Sequence, residues 1–253
     1  MEKNLNLKGK INLNREKFLE DNKIHDSYHE FFSLELIQEI DEIMGTISNY
    51  TPNKENIFKA FRQDISHVRV VLLAMDPYPQ KGVATGRAFE VEKDSWMDKG
   101  VNTSLKNMVK LIYKTYMREI PTIDRLRNEI NDKTFDILPP NELFKSWESQ
   151  GVLLLNTALT VEIENSGSHI KLWGNFTKKL IKFIEEKNNN IIFLLWGAKA
   201  GKYKKYIENS QIIEHNHPAI CGNLKNPKDF LNGDSFEKTQ DLIQWTGKVV
   251  SKN

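Results

Sequence analysis

Apolar residues in this chain follow two rhythms, and the change from one to the other outlines the fold. Through about residue 61 they recur near helical spacing: Phe31, Phe32, Leu34, Leu36, Ile37, Ile40 and Ile43, then an amphipathic turn at Ile57, Phe58 and Phe61. Residues 1–55 therefore read as an N-terminal helical cover over a core. Four short runs rich in Val, Ile and Leu come next, at Val68 to Met75, Val152 to Asn156, Ile191 to Trp196, and Ile212-Ile213. Helical patterns separate them. After Asn102-Thr103-Ser104, the residues Leu105, Met108, Val109, Ile112 and Tyr116 share one face, and Lys106, Lys110, Lys114 and Arg118 another. A second helix is expected from about Asn175 to Lys187, burying Phe176, Leu180, Ile181 and Ile184. Near-continuous apolar strands alternating with helices predict an α/β fold, with three α/β/α layers around a central four-stranded parallel sheet. The polar stretch Glu119 to Asn141, with Pro121 and Pro139-Pro140, reads as a surface insertion. With no repeat or low-complexity segment, residues 1–253 are expected to form a single domain.

In an open parallel sheet, ligands bind outside the carboxyl ends of the strands. Here those ends bring up Asp76, Asn156, Gly197 and His217. A carboxylate, an amide and an imidazole on one rim can activate water, read a base edge and stabilise a leaving anion. Taken singly, each has a plainer use: Asp before Pro as a turn former, Asn as a strand-end cap, His as a structural residue.

Composition narrows the class. The chain is 39% hydrophobic and 28% charged, a globular balance, and no stretch approaches the roughly 20 apolar residues of a spanning helix. No membrane association is expected. The start, MEKNLNLKGK, lacks an apolar run of signal-peptide length, so the cytoplasm is the expected location, with nucleoid association if the source is bacterial. Cys221 is the only cysteine, which excludes an intrachain disulfide and a cysteine-based metal cluster. Lys plus Arg number 36 against 34 Asp plus Glu, so net charge neither demands nor excludes nucleic acid. Distribution says more: between Lys171 and Tyr206 stand nine lysines and only two acidic residues, Glu185 and Glu186. Such a segment attracts phosphates, although a solvated lysine face is the commoner cause.

The rim residues do not stand alone. Val70 to Pro79, reading V-V-L-L-A-M-D-P-Y-P, resembles the water-activating motif of uracil-DNA glycosylases, usually V-V-I-L-G-Q-D-P-Y-H. Gly86-Arg87-Ala88-Phe89 is similar to that family's G-L-A-F. Trp147, then Gln150 to Thr157, with Leu159-Thr160-Val161, resemble its W-x-x-Q-G-V-L-L-L-N-T-x-L-T-V. Ser168-His169 matches its S-H pair, Phe193 to Gly197 its F-L-L-W-G, and His217-Pro218 the head of its H-P-S-P loop. The likeness runs in ordered blocks from about residue 55 to 245.

This resemblance implies a metal-independent, monofunctional glycosylase of the family 1 type that flips uracil out of DNA and leaves an abasic site, with no cofactor. Asp76 would position water and stabilise the sugar cation, and His217 would hydrogen-bond the departing uracil anion. Asn156 would read N3–H and O4, Phe89 would stack on the ring, and Tyr78 would fill the space of a thymine methyl. Met75 would act at the substrate through its main-chain N–H. Ser104, Ser168, His169 and the loop Pro218, Ala219, Ile220 and Leu224 would meet DNA, with Ile220 and Leu224 both open as the residue that wedges into the duplex. Four positions depart from the usual pattern: Met75 for Gln, Pro79 for His, Ala219 for Ser, and Ile220-Cys221 for Pro and the intercalating Leu. Poxvirus members resemble this chain in D-P-Y-P and H-P-A. The expected partner is uracil-containing DNA, single- or double-stranded, and a monomer is expected. A protein inhibitor or a replication or repair partner stays open. Two rival readings also stay open: the same fold acting on another modified base, as in phage DNA, and a DNA-binding or processivity module with little catalysis.

Overall fold

The computed structural model describes residues 14–248. In chain order its helices are α1 (residues 14–21), α2 (Leu34–Thr46), α3 (Thr103–Met117), α4 (Ile123–Asn131), α5 (Pro140–Ser149), α6 (Ile170–Lys187) and the short α7 (Ala198–Gly201). The strands are β1 (Tyr50–Thr51), β2 (Val70–Ala74), β3 (Val152–Asn156), β4 (Val161–Glu162), β5 (Ile192–Trp196) and β6 (Gln211–His215). β3, β2, β5 and β6 form, in that order, the expected four-stranded parallel sheet, and β1 pairs with β4 in a small antiparallel ribbon.

β2, β3 and β5 are apolar on both faces because both faces are covered, whereas the edge strand β6 buries only Ile213. Successive side chains point to opposite sides. Val71, Leu73, Leu153, Leu155, Phe193 and Leu195 pack beneath α2 and α6, while Val70, Leu72, Leu154, Leu194 and Trp196 pack against α3, α5 and the C-terminal segment. Those two apolar layers with the sheet between them are the three-layer arrangement that the sequence predicts. The order β3-β2-β5-β6 reverses direction at β2, which makes the carboxyl ends of β2 and β5 the switch point where a crevice opens.

α3 begins where expected, with the Asn102 side chain accepting a hydrogen bond from Leu105 N at 3.1 Å. α6 starts at Ile170, five residues before the expected Asn175, because Trp173 joins the buried face. The segment expected as a surface insertion is more than a loop. It holds α4, capped by Thr122, and Leu126, Phe135 and Ile137 are buried in the core. No helix among the described residues is long and apolar enough to cross a membrane.

Two residues of the resemblance have structural work. Trp147 is fully buried and donates through Nε1 to Trp245 O, while Gln150 accepts from Gln244 N and donates to Gln244 O. Together they clamp the C-terminal segment to the domain.

Candidate active site

A cavity of about 160 Å³ lies at the switch point, lined by Met75, Asp76, Tyr78, Pro79, Arg87, Phe89, Ser104, Ser166 and His217 among others. Larger hollows elsewhere among the described residues are lined by none of these nine residues. Six of the residues expected at the site therefore share one wall: Met75, Asp76, Tyr78, Phe89, Ser104 and His217.

Asp76 follows β2 directly. Its carboxylate accepts from Gly167 N at 2.5 Å and from Ser166 Oγ at 3.2 Å. Burial pushes its carboxyl above the ordinary range, and the Gly167 and Ser166 hydrogen bonds, with the charges of His169 and Lys199, pull it back only in part. The turn after it is anchored at Pro79, whose carbonyl accepts from Glu164 N at 3.0 Å. The backbone after β3 is tied to the same turn, since Thr157 Oγ1 and Ala158 N both donate to Met75 O.

Asn156 ends β3, level with Ala74 in the sheet. It is 4% exposed, and its Oδ1 has no hydrogen-bond partner among the described residues. A buried acceptor left unmade costs about 1–3 kcal/mol, so such atoms mark places where something else supplies the donor.

His217 is a neutral imidazole with a defined tautomer. Burial depresses its pKa, and Nδ1 accepts a hydrogen bond from Ala219 N at 3.1 Å. The ring proton is then on Nε2. Gly197, at the end of β5, lets the imidazole come close: its φ is +92°, and a Cβ there would lie 3.0 Å from His217 Cβ.

Phe89 adopts a left-handed backbone conformation, φ 63°, which costs an aromatic residue energy and is found where function or packing over-determines it. Its ring lies 5.6 Å from Trp196 and 5.9 Å from His217. The Tyr78 hydroxyl donates to Phe89 O at 3.3 Å, and burial pushes the phenol up to about 12. Beneath this turn lies an ion network: fully buried Glu90 receives Arg87 at 3.0 Å, Lys59 at 2.9 Å and the Thr85 hydroxyl, and Arg87 grips Glu148 with two nitrogens. Burial disfavours the Glu90 charge, but Arg87, Thr85 and Lys59 outweigh it and hold the carboxyl below its ordinary range.

The loop after His217 is exposed at its tip and fastened at its base. Ile220 is 74% exposed and Leu224 53%. Asp229, itself buried, accepts from Gly222 N and Asn223 N at 2.9 Å, and Asn232 holds Leu224 O. Cys221 lies between them, partly buried against the core, its thiol pushed up by burial and by Asp229.

Other expected DNA contacts sit differently. Pro218 is buried, and its carbonyl accepts from Asn107 Nδ2 at 2.7 Å. His169 is 7% exposed, as is Ser104, and is bonded through Nδ1 to Thr160 while its charge acts on Asp76. Ser168 accepts from Glu162 N through a partly exposed hydroxyl. Asn107, Ser166 and Gly167 were not singled out by the sequence, because each acts through a partner distant in the chain.

The model of the uracil DNA glycosylase superfamily matches residues 62–239. This chain belongs to that family. A uracil-DNA glycosylase of Francisella tularensis subsp. holarctica is 37% identical over 206 residues, covering 77% of this chain and 83% of its own length. That of F. tularensis subsp. novicida is 35% identical over the same coverage. The wild-type UNG crystal structure from Nitratifractor salsuginis superimposes with a TM-score of 0.70 at 25% identity, over 90% of this chain and 96% of that one. A mimivirus UNG variant in complex with UGI shares the fold, with a TM-score of 0.66 at 22% identity, over 88% of this chain and 86% of that one. The uracil-DNA glycosylase blocks noted in the sequence thus fall on β2, β3, β5 and the turns that follow them, the elements that build the cavity.

Proposed function

We propose that this protein is a uracil-DNA glycosylase that adds water across the N-glycosidic bond of deoxyuridine, giving free uracil and an abasic site. The observation that carries this reading is a carboxylate and a neutral imidazole with its proton on Nε2, both lining one cavity. As the bond to uracil stretches, the sugar becomes cationic and the base anionic. Asp76, in its ionised form, stabilises the first and positions the water; His217 Nε2–H donates to the second, a contribution typically of about 3–4 kcal/mol.

Recognition follows from Phe89 and Tyr78 on the cavity wall and from Asn156, which does not line the cavity itself but ends β3 beside Ala74, which does. The unpartnered Oδ1 of Asn156 accepts the N3–H that uracil has and cytosine lacks, while Nδ2 donates to O4. Phe89 stacks on the flipped ring, and Tyr78, fixed by its hydrogen bond to Phe89 O, occupies the space of a C5 methyl. Pro79 in place of the family's usual His keeps the turn through its carbonyl bond to Glu164 N, so the water site rests on Asp76 and backbone. Ser104, near the start of α3, and Ser168 hold phosphates, and Asn107 sets the His217 loop through Pro218. Ile220, the most exposed large apolar residue on that loop, is the wedge.

The test is alkaline strand cleavage of oligonucleotides carrying one U, T, C or 5-hydroxymethyl-C. Cleavage of the U strand alone, falling about 100-fold or more in Asp76→Asn, is expected. Ile220→Ala should slow release from duplex while sparing single strands. An unbroken U strand with a broken modified one would move the reading to the other base; no cleavage at all would make the protein a binder.

A further inference from the structure

Resting on the glycosylase reading, we infer that a second groove, running away from the catalytic cavity between the start of α6 and α7 with the 3-10 turn Lys202–Tyr206 that follows it, carries the DNA strand on one side of the flipped nucleotide. The groove holds about 670 Å³ and is lined by Lys171, Lys199, Lys202 and Lys205, with Tyr203 and Tyr206. It begins at Gly167, whose N–H is the donor to Asp76, so its near end adjoins the reacting centre.

Charge decides the occupant. Neighbouring lysines are neutralised within the protein: Lys179 by Glu39, Lys187 by Glu30 and Lys204 by Glu214. The four lysines of the groove are exposed and form no ion pair with a described residue. Lys199 nonetheless acts on Asp76, helping to draw its carboxyl back down, which places positive charge between groove and site. Tyr206 lies beneath two ammonium groups, Lys178 at 5.5 Å and Lys205 at 5.0 Å from its ring centre. A row of unpaired cations beside aromatic rings, opening beside a nucleotide pocket, matches a chain of phosphates with bases free to stack. An acidic protein would be drawn by the same charge, but nothing about continuity with Asp76 would serve it. The surplus of lysines between Lys171 and Tyr206 thereby gains a purpose beyond solubility.

The strand enters such a groove with one polarity, which gives the experiment. Uracil release would be followed on single strands carrying one deoxyuridine, either minimal or extended by several nucleotides on the 5′ or the 3′ side. Wild type would be compared with Lys171→Gln/Lys202→Gln/Lys205→Gln, its folding checked by circular dichroism and thermal melting. Lys199 is left in place because of its action on Asp76. In wild type one extension should lower KM and the other should not. The triple variant should lose that gain, with KM rising about tenfold on the favoured substrate, kcat and the minimal substrate unchanged, and the slope of log KM against log salt shallower by about two. Equal losses on both extensions and on the minimal substrate, or no loss anywhere, would overturn the inference. So would capture of polyglutamate by wild type with DNA dependence intact in the variant, which would assign the groove to protein. If wild type released no uracil from any strand, the glycosylase reading alone would fail; retention of uracil-free strands by wild type and not by the variant would still support the groove.

Discussion

At Asp76, function opposes stability, and the sign can be worked out. Asp76 has a folded pKa above its ordinary 3.8, so between the two values the folded state binds more proton than the unfolded one. Stability from this group is therefore lost as pH rises through that window, and the ionised carboxylate is a cost at neutral pH. Asp76→Asn should be more stable than wild type at pH 7, with the advantage vanishing as pH falls below 3.8; urea unfolding at both pH values measures it, and an unchanged or lower midpoint at pH 7 would contradict the argument. Catalysis runs the other way. It needs Asp76 ionised and His217 neutral, and His217 titrates below 6.5, so kcat/KM should fall only on the acid side. The residual activity of Asp76→Asn should keep the His217 limb alone.

The turn from Gly86 to Glu90 shows how one element can be over-determined. Gly86 has φ +95°, and any side chain there would strike Asn56 O, with a Cβ at 2.0 Å. Phe89 is held left-handed a few residues on, and the Arg87–Glu90–Lys59–Glu148 network fixes the turn from below. Removing one partner of a buried ion pair leaves an unmatched charge, at about 3–5 kcal/mol. Glu90→Gln should lose stability of that order in urea and raise KM more than it lowers kcat. Arg87→Leu combined with Glu90→Gln should cost less than the two single changes added together. None of this network was readable beforehand, although its residues flank a recognised motif, because it depends on contacts 31 and 61 positions apart in the chain. What was readable had local causes. β2, β3 and β5 were visible as runs too apolar for any exposed position, and Asp76, Asn156 and His217 because parallel strands end on one rim. The start of α6 was not, since its first residue follows His169, which gives no side-chain cap. The segment from Glu119 to Asn141 misled because its buried residues, Pro121, Leu126, Phe135, Ile137 and Pro140, follow no helical or strand period amid polar neighbours.

Across the molecule, the chemistry occupies the carboxyl rim of the sheet while the C-terminal segment holds the domain closed from the side. Trp245, fully buried, packs on Trp147 and Phe236 with ring centres 5.0 and 4.7 Å apart. Trp245→Ala should destabilise by about 3–5 kcal/mol in urea, with kcat on a saturating substrate retained while the variant is folded. The loop at the rim has a further consequence. Its Cys221 is the chain's sole sulfhydryl and stands beside the residue expected to enter the duplex, so an alkylating reagent can form only one thioether per molecule, at the point where enzyme and helix engage. A thiol pushed up and partly buried reacts slowly with iodoacetamide at rest. The rate of adduct formation, read by mass spectrometry, then becomes a clock for the loop: duplex that seats over Ile220 should slow it further, and a rate indifferent to DNA would mean the loop stands clear of the helix.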